Sequence, residues 1–470
     1  MERALIYLKQ RANEDWLIGH DSYQFSQLSQ QLFLDLTQKA NRRLPPKIFI
    51  AESDPVRFLA GFIAACAAGC HVFLCNPNWV DWEWQQVFDL VQPDLILGRS
   101  ANPSIRLPPS PSLPFSPTQD SALIMIPTGG SSGKIRFAIH TWETLMASVC
   151  GFYQYFEQKP VNSFCVLPLY HVSGLMQFLR SLTTGGQMVI VPFKALVEGE
   201  GRHIDPKSFF ISLVPTQLAK LITSDFSPWL SNFQTVLLGG APAWAELLEE
   251  ARRQNIPLAT TYGMTETASQ VVTLKPEAFL SGNNSSGKVL PHAQVTIRST
   301  TGEILGANQT GIITIQTDSL ALGYYPKRFT QQPYFQPDDL GFFDAQGYLT
   351  VVGRRSNKII TGGENVFPAE VEAAILATQV VADVCVIGLP DHYWGQVVTA
   401  VYIPSSLDVS TASLQAAVEN KLSKFKQPKY WVAVETLPRN AQGKVNYDQL
   451  KKMATDSLAI AKQPSLNQTC

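Results

Sequence analysis

The sequence predicts an α/β protein. A large N-terminal domain of α/β layers (1–355), with a β-rich subdomain at about 282–355, is followed by a small α+β domain (356–455) and a tail (456–470). Three observations carry this expectation. Helix-like and strand-like segments alternate as far as Tyr262, short strands divided by turns replace them after Leu280, and helix and strand patterns resume past Ser356. With 45% hydrophobic and 16% charged residues, the 470-residue chain can build several cores, about three by its length, and lacks the composition of a disordered protein.

The first layer reads as helices over 27–38, 56–68 and 81–91 alternating with strands over 48–51, 72–75 and 95–97. The longest apolar run, 58–70, is rich in alanine and falls short of the roughly twenty residues needed to cross a bilayer, so it reads as a core helix ending near Gly69. Six prolines and four serines between 102 and 117 break all periodicity and mark an irregular connector. Strands follow at 188–192, 209–214, 235–238 and 256–262, with a helix over 243–254 before the last. In the β-rich stretch the strands fall at 294–298, 311–316 and 348–352. In the last unit a helix starts at Pro368 with Glu370 and Glu372 in its first turn, and a strand covers 380–387. Leu414, Val418 and Leu422, at i, i+4 and i+8, mark a further helix face.

Formal net charge is −1 and neither sign runs in blocks, which argues against nucleic acid and anionic membrane surfaces as partners. The N-terminus lacks the apolar centre of a signal peptide. The seven cysteines are odd in number, sit mostly in apolar runs and form no CxxC pair, so they read as reduced thiols of a cytoplasmic protein. A homo-oligomer is left open.

Chemistry concentrates in a few loops. The stretch from Thr261 to Gln270 brings a flat ring, a turn glycine, hydroxyls and one carboxylate together. Tyr262 can stack on a base, Thr265 can donate to a phosphate, and Glu266 offers the hard oxygen that Mg²⁺ prefers; the plainer reading is a strand running into a polar turn. Thr128-Gly129-Gly130-Ser131-Ser132-Gly133-Lys134 follows an apolar strand with the glycines, hydroxyls and lysine that cradle a polyphosphate. Ile135 stands where a Walker loop needs Ser or Thr, which disfavours a P-loop ATPase. Gly239-Gly240-Ala241-Pro242 lets backbone lie against a flat ligand, and Asp339 with Arg354 suits the two hydroxyls of a ribose, with a surface ion pair as the plainer reading. His171, between a strand and a glycine, and Lys444, on a turn, are by themselves ordinary side chains.

Taken together and in this order, the phosphate loop from Thr128, Pro168-Leu-Tyr-His171, Gly239 to Pro242, Tyr262 to Thr267, Asp339 with Gly353-Arg354, and Gly443-Lys444 resemble the adenylate-forming superfamily of acyl-CoA synthetases, peptide-synthetase adenylation domains and luciferases. Within it, Pro168 to Leu175, Ser212 to Leu218 and Met264 to Leu274 look most like the o-succinylbenzoate-CoA ligases of menaquinone and phylloquinone synthesis. The resemblance implies the fold of that superfamily with a mobile C-terminal domain, Mg²⁺ as cofactor, and ATP, coenzyme A and a carboxylic acid as substrates. It implies that 128–134 holds the β- and γ-phosphates, that Thr265 and Glu266 engage phosphate and metal, and that Gly239 to Pro242 and Tyr262 sandwich adenine. Asp339 and Arg354 would take the ribose, and His171 would border the acyl pocket and help admit substrate, with Thr216 and Ser269 also lining that pocket. Lys444 would meet the attacking carboxylate and the α-phosphate. Gly362, Gly363, Glu364 and Asn365 would form the coenzyme A tunnel, and Ser356 the hinge. The chain departs from the family's phosphate loop at Ile135-Arg136-Phe137, where a proline, a lysine and a glycine are usual; Arg136 keeps the charge.

Two rival readings stand beside this one: a ligase for another aromatic or medium-chain acid, and a nucleotide-binding homologue without turnover. The residue that would hold the second carboxylate of o-succinylbenzoate is open between Arg180, Thr216, His292 and ordered water.

Overall fold

A computed structural model describes residues 3–39, 45–98, 122–129, 135–330, 333–355, 357–361, 364–391, 394–406, 409–419, 421–422, 424–439 and 445–462. The candidate residues Gly130 to Lys134, Ser356, Gly362, Gly363 and Lys444 lie outside them.

Among the described residues the N-terminal domain is built on two sheets of eight and seven strands. In the seven-stranded sheet, alternate side chains go to opposite cores, as the two-residue repeat of a strand dictates. From Lys47–Ile50, His71–Leu74 and Leu123–Gly129, the residues Ile48, Ile50, Val72, Leu74, Ile124 and Ile126 face a central core, while Phe49, Phe73 and Met125 face an outer one. The outer core is closed by Trp84, Val87 and Phe88 of the helix Asp81–Leu90. Strands covered on both faces need no polar alternation, which is why these segments read as continuous apolar runs.

The alanine-rich segment forms the helix Pro55–Ala67, buried from Phe58 to Ala67. Asp54 caps it by accepting from the Arg57 N–H at 2.8 Å, and Pro55 sits in the first turn, where its missing N–H costs nothing. It shares the central core with Leu175, Met176 and Phe178 of the helix Val172–Thr184, and with Cys165 and Met188 of the eight-stranded sheet. Its apolar character all round is that of a helix wedged between layers. No helix among the described residues is long and apolar enough to cross a membrane.

The eight-stranded sheet places Phe209–Leu213, Thr235–Leu238 and Leu258–Met264 side by side and parallel, then turns antiparallel through Ser269–Thr273. The strand expected over 256–262 starts after Pro257 and runs on to Met264, so Tyr262 and Gly263 belong to a strand end. The β-rich subdomain is a four-stranded antiparallel sheet of Ala293–Arg298, Gly311–Thr317, Asp339–Phe343 and Leu349–Arg354. One part of the segment 282–355 leaves it. Gly323–Tyr324 and Lys327–Arg328 join the seven-stranded sheet, where Tyr324 pairs with Ala138 and covers an otherwise open edge.

The C-terminal domain centres on the antiparallel pair Val381–Asp391 and Gly395–Pro404. Val384 and Val386 pack to one side with the helices Pro368–Leu376 and Thr411–Glu419, and Cys385 and Ile387 to the other with the helix Tyr447–Lys462. That last helix continues through 456, where a tail was expected, because Leu450, Ala454 and Leu458 pack on the sheet. Leu422 packs with Leu414 and Val418 but lies beyond the end of their helix at Glu419.

Glu372, on Pro368–Leu376, turns its carboxylate onto the Val386 N–H at 2.8 Å, and burial pushes its pKa from 4.5 up to about 7 against that bond. Between those values the folded chain holds a proton that the unfolded chain has released, so folding stability falls as pH rises through the window. Thermal unfolding from pH 5 to 8 should therefore show wild type losing stability, on the order of 2–3 kcal/mol, relative to Glu372→Gln. Parallel pH profiles for the two proteins would contradict it.

Candidate active site

Two neighbouring parallel strands, Thr235–Leu238 and Leu258–Met264, end side by side, with Leu238 opposite Thr260. A β-carbon on Gly239 would sit 2.3 Å from Thr261 Oγ1, and Gly240 adopts φ +81°, so only glycines let this loop run so close to the strand that carries Tyr262. Thr261 Oγ1 donates to the Leu238 carbonyl at 3.2 Å and ties the two strand ends together. The Gly239 to Pro242 loop and the end of the Tyr262 strand thus lie side by side at the carboxyl ends of parallel strands, where open α/β sheets bind ligands.

The Tyr262 hydroxyl donates to Asp339 Oδ2 at 2.9 Å. Asp339 lies directly across the strand pair from Arg354, whose Nε stands 3.5 Å from Asp339 Oδ1. The candidate adenine-stacking ring and the candidate ribose pair are thus one hydrogen-bonded unit joining the large sheet to the β-rich subdomain. Burial raises the Asp339 pKa, and the Arg354 charge and the Tyr262 hydrogen bond oppose that rise.

After Met264 the chain makes a single 3₁₀ turn, Thr265–Thr267, and then places Ala268 and Ser269 at φ +50° and +103°. This turn lifts Glu266 out of the strand. Its carboxylate is buried and accepts the Tyr324 hydroxyl, and the Arg136 guanidinium lies over the Tyr324 ring at 4.4 Å. Arg136 sits opposite Thr128 in the antiparallel pair of Leu123–Gly129 and Ile135–Thr141, the strands that flank the candidate phosphate loop in the sequence. Tyr324 carries no local signal in the sequence: it is distant in the chain from Glu266, and only the edge pairing with Ala138 brings it in. Arg136 is legible as a retained charge, its partner ring is not.

Among the described residues no group of three or more His, Cys, Asp or Glu could hold a metal ion on protein ligands alone. A lone carboxylate beside a phosphate hairpin fits Mg²⁺, which is held through one or two carboxylates, waters and substrate phosphates.

The remaining candidates lie on other elements. His171 stands at the N-cap position of Val172–Thr184 without a side-chain capping bond, its ring 4.6 Å from that of Tyr170. Thr216 is exposed in the first turn of Pro215–Thr223. Ser269 accepts from Arg180 at 3.2 Å, and Arg180 also donates to Gln270 Oε1 at 3.1 Å while its guanidinium lies 4.0 Å from the centre of the Phe152 ring. Glu364 and Asn365 lie in a short strand paired with Ile359–Thr361. The segment carrying Lys444 is rooted by a bridge between Arg439 and Val445 and by the Arg439–Asp383 ion pair at 2.7 Å.

Comparison with known proteins agrees with this geometry. Residues 45–325 match the AMP-binding enzyme family and residues 370–444 its C-terminal domain. The chain is 37% identical over 292 residues to the 2-succinylbenzoate–CoA ligase of Oceanobacillus iheyensis, spanning 61% of this chain and 60% of that one. It is 34% identical over 336 residues to that of Listeria monocytogenes serotype 4b, spanning 69% and 68%. The fold is similar to o-succinylbenzoate CoA synthetase of Bacillus subtilis in complex with the acyl-adenylate intermediate, with a TM-score of 0.81, 25% identity and coverage of 95% and 97%. The complex of that synthetase with ATP and magnesium ion gives 0.80, 25%, 95% and 99%. With residues 45–325 and 370–444 matched to its two domains, the chain belongs to the AMP-binding enzyme family.

Proposed function

We propose that the protein is an ATP-dependent, AMP-forming acid–thiol ligase. It activates o-succinylbenzoate as an acyl-adenylate and transfers the acyl group to coenzyme A, in menaquinone or phylloquinone synthesis. The observation that carries the chemistry is the convergence of Tyr262, Asp339, Arg354, Glu266, Tyr324 and Arg136 on one strand end. The similarity to 2-succinylbenzoate–CoA ligases supports the substrate.

The physical problem is charge. A carboxylate must approach a phosphorus already surrounded by anionic oxygens, and without cations the two repel. Thr128 and the loop to Lys134 hold the polyphosphate, with Arg136 adding positive charge at the loop end of the strand pair. Glu266 would hold Mg²⁺, which when bound would neutralise charge on the departing pyrophosphate. Lys444 meets the incoming carboxylate and the α-phosphate, so the site works by positioning and electrostatic stabilisation. The domain beginning at the Ser356 hinge then turns, replacing the Lys444 face with the Thr361 to Asn365 face that admits the pantetheine thiol. Coenzyme A attacks the mixed anhydride and AMP leaves. The cysteines described are all free, which supports a reducing, cytoplasmic setting.

Among the candidates for the second carboxylate, Arg180 is favoured. Burial lowers its pKa only to about 9, so it stays charged, and its Nε and the neighbouring Gln270 Nε2 are buried without hydrogen-bond partners. His292 is held neutral, its pKa pulled to about 4 by burial and by Arg180, and Thr216 is exposed. A buried cation with neutral partners calls for an anion. The test is to supply Mg-ATP, coenzyme A and a panel of acids and to identify thioesters and AMP by mass spectrometry. Selective o-succinylbenzoyl-CoA formation is expected, and preference for another acid would overturn the substrate. In Arg180→Gln the KM for o-succinylbenzoate should rise about 30-fold, the scale of one charge-assisted bond, with the KM for ATP unchanged. Equal changes in both KM values would discard Arg180 as the ligand.

A further inference from the structure

The four carbonyls of the segment 265–268 are each caught by a group outside it. The Glu266 carbonyl accepts the Ala321 N–H at 2.7 Å, the Thr267 carbonyl accepts Ser319 Oγ at 2.8 Å, and the Ala268 carbonyl accepts Ser148 Oγ at 2.7 Å. The Thr265 carbonyl is held at 2.8 Å by Nε2 of His140. His140 is wholly buried on Ile135–Thr141, the returning strand of the phosphate hairpin. Its other nitrogen, Nδ1, lies 3.0 Å from Thr144 Oγ1, which itself accepts the Thr141 N–H at 3.0 Å.

A carbonyl can only accept, so Nε2 carries a proton. Burial holds the ring neutral, with its pKa about 4, so that proton is the only one and Nδ1 is an acceptor facing Thr144 Oγ1, whose single proton also lies within reach of the Thr141 carbonyl at 3.0 Å. The ring is therefore fixed in one tautomer between two elements: the hairpin that presents Thr128 and Arg136, and the turn that presents Thr265 and Glu266.

We propose that His140 is a positioning residue of the adenylation reaction, locking the Thr265–Glu266 turn to the phosphate hairpin so that the Glu266 carboxylate and the hairpin's phosphate-binding groups meet the same metal-bound polyphosphate. This rests on the reading of Glu266 as the metal carboxylate. Its consequence is specific: His140 sets the spacing between metal ligand and phosphate ligands, and leaves the adenine and ribose contacts of Tyr262 and Asp339 alone. Glutamine can place a donor amide near the Nε2 position and so replace the bond, whereas alanine cannot.

The experiment is calorimetric titration of the full chain with a non-hydrolysable ATP analogue, with and without Mg²⁺, beside the ATP–pyrophosphate exchange rate. His140→Ala should weaken the Mg²⁺-dependent part of binding about 10-fold and slow exchange by a similar factor or more, with Mg²⁺-free binding unchanged. His140→Gln should recover both to within about 3-fold. Loss of binding to the same degree with and without Mg²⁺, or no difference between Ala and Gln, would overturn the proposal. Nitrogen-15 NMR of the histidines gives a readout independent of activity: the His140 ring is expected as the Nε2–H tautomer, unchanged between pH 6 and 8, and an Nδ1–H ring would overturn the assignment. If wild type binds the analogue with no response to Mg²⁺, the reading of Glu266 itself is what fails.

Discussion

Replacing Lys444 with alanine should cut adenylate formation about 10³-fold while leaving thioester formation from preformed acyl-adenylate within a few fold of wild type. The magnitude is about 4 kcal/mol of transition-state stabilisation, the scale of one preorganised cation acting on developing charge in a water-excluded site. The asymmetry is the point of the experiment. In the proposed mechanism, carboxylate attack on the α-phosphate brings like charges together and needs the lysine, whereas thiol attack on the mixed anhydride would proceed after that face of the small domain has turned away. The root of the Lys444 segment, with the Arg439–Asp383 ion pair and the Arg439 bridge to Val445, does not depend on the lysine side chain, so the domain should fold unchanged. Separate assays of pyrophosphate exchange and of coenzyme A acylation from synthetic adenylate make the measurement. Equal loss in both half-reactions would sink the alternating-face mechanism for this chain, and no loss in either would remove Lys444 from catalysis.

Much of this site was legible in the sequence because its parts are local. The glycines of 239–240, the ring at 262 and the carboxylate at 266 sit at strand ends that the apolar pattern already marks, and Asp339 and Arg354 stand within short strands that pair with one another. What joins them was not legible. The Tyr262 hydroxyl on Asp339 depends on how the β-rich sheet docks on the large one, and the Tyr324 hydroxyl on Glu266 depends on a pair of short strands leaving their expected subdomain. His140 belongs to no motif that the sequence singles out; it follows the buried Phe137, Ala138 and Ile139 on one strand, and the carbonyl it meets, that of Thr265, comes from a turn of the other large sheet. The pattern is physical. Periodicity and turn chemistry report which face of an element is buried, but hydrogen bonds between elements are fixed only when the layers are stacked.

Glu266→Gln carries the other large effect. The substitution keeps the size of the side chain and keeps an oxygen that can accept the Tyr324 hydroxyl, so the turn and the Arg136–Tyr324 stack should survive it. What it removes is the one negative charge that the proposed Mg²⁺ site would draw from Glu266. Glu266 would hold Mg²⁺ through a charged oxygen, and a neutral amide oxygen binds that ion far less readily than a carboxylate. Adenylation should fall on the order of 10²–10³-fold at moderate Mg²⁺, about 3–4 kcal/mol, with partial recovery as Mg²⁺ is raised. The fold's dependence on the charge is small, since the Glu266 backbone is fixed separately by the Ala321 N–H at 2.7 Å, so the melting temperature should stay close to wild type. A Mg²⁺ titration of pyrophosphate exchange in both proteins distinguishes the cases. A rate deficit that stays constant at all Mg²⁺ concentrations would mean that Glu266 acts on the phosphates or the turn and that the metal is held elsewhere. A deficit that closes with Mg²⁺ identifies the carboxylate as its ligand.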